Sequence, residues 1–143
     1  MRGEGEQRTD QPSDCADADK KEVPHHCSPS PLAFICSIWA TGDQLEKARQ
    51  VASRIPGVEV TFARYLKPFD AELLKRQRAE GKRIVSIENG AVIGGFGEAI
   101  GADLKFGWPD EFIPHGAVAE LEKRYGFDVN AIVAKISDER PEA

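Results

Sequence analysis

The run Leu32-Ala33-Phe34-Ile35-Cys36-Ser37-Ile38-Trp39 is apolar at nearly every position. A strand with one wet face alternates apolar and polar residues, whereas a strand covered on both faces reads as an unbroken apolar stretch. At roughly 20 residues for a bilayer span, the run is far too short to cross a membrane. It therefore predicts a central strand with helices on both sides. Arg83-Ile84-Val85-Ser86-Ile87-Glu88 is a second such run, short, rich in β-branched residues and bounded by glycines.

Helical spacing fills the intervals. Thr41-Gly42-Asp43 supplies turn and cap chemistry, and Leu45, Ala48, Val51, Ala52 and Ile55 recur on one face, which predicts a helix over 43–55 stopped by Pro56-Gly57. Val58 to Ala63 reads as a strand. Lys67-Pro68-Phe69-Asp70 reads as a turn, with Asp70 capping a helix that carries Leu73 and Leu74 and ends at Gly81. After the strand over 84–87, a glycine-rich turn leads into a short helix over about 95–101. Leu104-Lys105-Phe106-Gly107 is a brief fourth strand, and two helices follow over 117–125 and 128–137. Strands alternating with helices imply right-handed crossovers and a parallel sheet. The expectation is a three-layer α/β/α fold with a mainly parallel four-stranded sheet in the order 2-1-3-4.

Residues 1–31 contain almost no large apolar side chain and include Pro12, Pro24, Pro29 and Pro31. Such a segment cannot bury enough surface to offset its ordering entropy, so a disordered tail is expected there, with the folded domain over 32–137 and a second disordered end over 138–143. His25-His26-Cys27 matches no zinc spacing. The three cysteines, Cys15, Cys27 and Cys36, are an odd, widely spaced set without a leader-like start. A disulfide framework is not expected, and a cytoplasmic location is. A net charge of −5 with scattered cations argues against nucleic acid and anionic membranes as partners.

The turn itself, Asn89 to Gly97, brings Gly94, Gly95 and Gly97 together at a helix start. Glycines there either cradle a phosphate or allow close docking of backbone. A dinucleotide fingerprint fails because Ile100 stands where the last glycine belongs, and no Gly-Lys-Ser/Thr completes a phosphate loop. Glu98 also places negative charge where a phosphate would sit. Close packing against another surface is the better reading. Glu88 at a strand end and His115 before a helix are candidates for an acid and a base, though each is equally a hydrogen-bond or capping residue. Lys67 is a candidate anion ligand. Phe96, Trp108 and Phe112 flank glycine or proline turns rather than a periodic face, which fits either loop packing or an exposed contact patch.

Five motifs then fall in one order: Lys67-Pro68-x-Asp70, Glu88-Asn89-Gly90, Gly94-Gly95-Phe96-Gly97, Gly107-x-Pro109-Asp110-x-Phe112-Ile113-x-His115-Gly116, and Tyr125-Gly126-Phe127-Asp128. In these the chain, from Leu32 to about Ile136, resembles the C-terminal domain of the 1-deoxy-D-xylulose-5-phosphate synthases of the transketolase family. The resemblance implies a three-domain enzyme dependent on thiamine diphosphate and Mg²⁺. It joins pyruvate, with loss of carbon dioxide, to glyceraldehyde 3-phosphate for isoprenoid, thiamine and pyridoxal phosphate synthesis. The cofactor lies between the first two domains, and the third packs on the second and supports the assembly. No catalytic, cofactor or metal residue of the family maps onto these motifs. The family's opening antiparallel edge strand falls where the tail stands, and the helix after the glycine-rich turn is shorter by about two to three turns at 3.6 residues each.

The leading expectation is thus an assembly-supporting module, not catalytic alone, partnered by a chain that carries the thiamine diphosphate domains or by itself. Its interface would draw on Lys67, Asp70, Glu88, Gly94, Gly95, Phe96, Gly97, Trp108, Asp110, Phe112 and His115. The alternatives are a free-standing ligand- or nucleotide-binding domain that uses the glycine-rich turn, and a small enzyme that uses Glu88 and His115.

Overall fold

The computed structural model describes residues 36–139. The tail reading, His25-His26-Cys27 and the residues from 140 onward lie outside that range. Four strands, β1 (Cys36–Thr41), β2 (Val58–Ala63), β3 (Arg83–Ala91) and β4 (Leu104–Trp108), form one sheet in the order β2-β1-β3-β4. Every pairing is parallel. The α-helices among the described residues are α1 (Leu45–Arg54), α2 (Ala71–Ala79), α3 (Phe96–Ala99), α4 (Val118–Arg124) and α5 (Val129–Asp138).

The expected strand order is found, and so is its cause. All six residues of β1 are buried, and the period of two divides them between two cores. Cys36, Ile38 and Ala40 join Ala48 and Val51 of α1 and Ile132 and Ile136 of α5 on one face. Trp39 joins Leu74 of α2 and Phe96 and Ile100 at α3 on the other. Residues 32–35 of the apolar run lie outside the described range.

Three local readings need correction. Thr41 is followed by a 3-10 turn, Gly42–Gln44, and its side chain makes no cap bond. The neighbouring Asp43 carboxylate instead accepts from Asn89 Nδ2 at 3.1 Å. His115 does not cap α4, whose N-cap is Ala117 without a side-chain bond. Finally, β3 does not stop at Ile87. It continues to Ala91, with a register shift against β4 between Ile87 and Ala91, so part of the expected turn is strand. Asp70 behaves as read, accepting from Leu73 N at 2.9 Å at the start of α2.

A polar seam fastens α2 to the sheet. The buried Gln77 accepts from Trp39 Nε1 at 2.8 Å and donates to Thr61 Oγ1 at 3.0 Å. Removing one partner of a buried pair leaves the other desolvated and unbonded, which costs about 1–3 kcal/mol. Gln77→Ala is expected to lower the urea midpoint by that much stability with little change in slope.

Candidate functional site

Period-two alternation along β3 settles where Glu88 goes. Ile84, Ser86 and Glu88 share one face, the face covered by α2 and α3. Glu88 is buried there. Its Oε2 accepts from Phe96 N at 2.7 Å, and its Oε1 accepts from Gly97 N at 3.0 Å. The carboxylate therefore holds the first turn of α3, where a negative group also meets the positive end of the helix backbone. Charge-assisted bonds of this kind are worth about 1.5–3 kcal/mol each.

The glycines make that grip possible. A Cβ on Gly97 would overlap Ser86 Oγ, and one on Gly95 would overlap Ala91 O and lie 2.5 Å from Glu88 Oε2. On the other flank, a Cβ on Gly107 would stand 2.8 Å from Gly90 O, where β3 bulges against β4. Gly94 completes the turn at φ 70°. The glycines thus serve close docking, but the surface they dock on is the chain's own Glu88 and Ser86.

The amides of the turn are all spent. Gly94 N donates to Glu98 Oε2 at 2.6 Å, and Gly95 N donates to Val92 O at 3.4 Å. With Phe96 N and Gly97 N on Glu88, no amide from 94 to 97 is left for a phosphate. A cavity of about 620 Å³ does lie beside them, at the carboxyl ends of β1 and β3. That is the switch point of the sheet, the usual ligand position in such folds. Yet Lys67 is the one cation among its lining residues. No group of three His, Cys, Asp or Glu able to hold a metal occurs among the described residues. The donor set does not fit a magnesium diphosphate.

The remaining candidates separate. Lys67 is exposed on the rim of this cavity, next to a cis Lys67–Pro68 bond. Trp108 is half-buried. It donates to Asn89 Oδ1 at 2.9 Å and stands edge-on to Phe127 at 4.6 Å. Asp110 and His115 are exposed in the loop after β4. Phe112 is 92% exposed. Phe96 corrects the contact-patch reading: it is 6% exposed, with Trp39 and Phe69 centroids 6.2 and 6.3 Å away. Bare glycines let α3 settle onto the sheet, and Phe96 is carried inside with it. With both carboxylate oxygens engaged by amides, Glu88 is poorly placed to act as a base with His115. The sequence reading did not single out Ser86 and Gly107 as contact residues. The parity of Ser86 with Glu88 was the available signal.

Glu88→Gln presents a donor to two amide donors and is expected to cost about 1.5–3 kcal/mol, and Gly97→Ala about 1–3 kcal/mol or more through overpacking, both read by urea unfolding. Millimolar phosphate or nucleotide is expected to leave the Gly94, Gly95 and Gly97 amide resonances unmoved in NMR titration.

Residues 36–132 match the family model described as "Transketolase, C-terminal domain". The 1-deoxy-D-xylulose-5-phosphate synthase of Clostridium tetani is 35% identical over 114 residues, covering 70% of this chain and 18% of that protein. The one from Azobacteroides pseudotrichonymphae is 37% identical over 118 residues, covering 74% and 18%. A solved structure described as "Split gene transketolase, inactive beta4 tetramer" superposes with a TM-score of 0.63 at 27% identity, over 74% of this chain and 38% of that one. The chain spans less than a fifth of the length of these curated relatives.

Proposed function

The chain belongs to the transketolase C-terminal domain family, and from that premise we propose that it is the assembly-supporting module of a synthase of the 1-deoxy-D-xylulose-5-phosphate type. In this reading it does not catalyse alone. Thiamine diphosphate and Mg²⁺ are held by cofactor domains outside the described residues, and the module completes the assembly that carries them. The product would feed isoprenoid synthesis in a reducing cytoplasm.

One observation carries the reading: every amide from Gly94 to Gly97 is already bonded within the chain. The hollow where a fold of this kind usually binds its ligand is braced from inside, so its order serves shape and not chemistry. The relatives it matches are named as synthases of this type. The solved structure it superposes on is described as a split-gene transketolase, which is in keeping with this reading.

Calorimetry on the full chain with thiamine diphosphate and Mg²⁺ is expected to give no binding heat. Mixed with a related synthase from which the third domain has been removed, the chain is expected to co-elute in size-exclusion chromatography. Tight cofactor binding by the chain alone would overturn the reading.

A further inference from the structure

From Pro109 to Gly126 no residue is buried, although Phe106 before the stretch and Phe127 after it are. The stretch contains α4, and this helix has no core face. Its Val118 is 62% exposed. Its Leu121 packs on neither core and stands instead against Gly116 of the preceding loop, 3.4 Å from where a Cβ would be. Backbone bonds do not compensate. Among the described residues, none joins 109–116 to the sheet or to another helix.

The segment is joined to itself more than to the body. Glu111 accepts from the Tyr125 hydroxyl, which ties the loop to the end of the helix, as Leu121 and Gly116 tie it to the start. Toward the body, Tyr125 stands edge-on to Trp108 at 6.0 Å. Phe127 N donates to Glu122 O at 3.0 Å, next to Gly126 at φ 74°. The remaining tie is an ion pair. Lys47 Nζ of α1 lies 2.7 Å from Glu122 Oε1, with only 11% and 16% of the two side chains exposed. No other ion pair reaches the segment among the described residues.

The two halves of that pair are unequally held. Lys47 Nζ also rests 4.7 Å from the ring centroid of the buried Phe127, an attraction that keeps the cation on the body whether or not Glu122 is present. Glu122 is the half that gives up its water to reach the other. For a pair so far out of solvent, the lost hydration cancels most of the Coulomb gain. The closed and open positions therefore lie close in free energy, and an apolar helix face that would weigh toward closure is missing. We propose that residues 109–125 form an arm that opens from the folded sheet as one unit, pivoting at Trp108 and Gly126, with Lys47 as the catch that Glu122 engages. Asp110, Phe112 and His115 ride on this arm. The opening belongs to the chain itself and does not depend on the reading above.

Hydrogen–deuterium exchange of the full chain, read by mass spectrometry, is expected to show residues 118–125 exchanging at least about 100-fold faster than β1 and β3, through an opening smaller than global unfolding. Lys47→Met strands Glu122 against apolar surface, and Glu122→Ala removes the charge while raising helix propensity. Each is expected to speed exchange over 118–125 at least about tenfold and to leave β1 and β3 as slow as before. Glu122 belongs to neither core, so its variant keeps the test open even if Lys47→Met disturbs the fold. The double variant Lys47→Met with Glu122→Met replaces the pair by an apolar contact and is expected to bring 118–125 back to within about threefold of the parent. Exchange over 118–125 as slow as in the sheet, single variants that leave it unchanged or speed the sheet equally, or a double variant as fast as the singles would each overturn the proposal.

Discussion

A single carboxylate holds together the part of this molecule that a ligand would otherwise occupy. Glu88 stands at the end of a central strand, buried, with one oxygen on each of two consecutive amides of α3. A buried anion is costly unless it is satisfied, and here the satisfaction is what fixes the turn. Withdraw the carboxylate, and the amides of Phe96 and Gly97 lose their acceptor and α3 its anchor. The tight placement of Gly95 and Gly97 against β3 follows from the same contact.

Much of this architecture was legible in the residue pattern. The unbroken run through Trp39 predicts a strand covered on both faces, and the helical spacings that follow it set the crossovers. Strand order followed from that. The site was less legible, because it rests on distances of close approach and not on period. Nothing in the run Glu88-Asn89-Gly90-Ala91 tells a turn from a bulged strand until β4 is laid beside it. Phe96, flanked by glycines, looks like a surface residue for the same reason. Its burial depends on Ser86 lying directly beneath Gly97, a contact between residues on different elements. The parity of Ile84, Ser86 and Glu88 was available all along, and it would have aimed Glu88 at α3.

The fold and the proposed role agree on one point of physical economy. A doubly wound sheet leaves a crevice at its switch point, and here the crevice persists as an open cavity, but its hydrogen-bonding capacity is turned inward. Asp43, Asn89 and Trp108 continue that closure across three strands. What remains outward-facing at this end includes Arg64, Tyr65, Leu66 and Lys67 after β2 and Asp110, Glu111 and Phe112 after β4. Such a surface suits contact with protein more than with a small molecule.

The parallel register has a consequence for how the chain comes off the ribosome. β1 pairs with β2 on one side, but its other edge must wait for β3, where Cys36 meets Arg83. Until that later strand emerges, the most apolar segment of the domain has an unpaired edge and an uncovered face on the α3 side, a state open to mispairing with neighbouring nascent chains. Pairing across such a separation is slow, because the loop must close before its contacts reward it. The same two-sided burial that makes β1 the axis of the finished sheet makes it the segment most in need of shelter during translation.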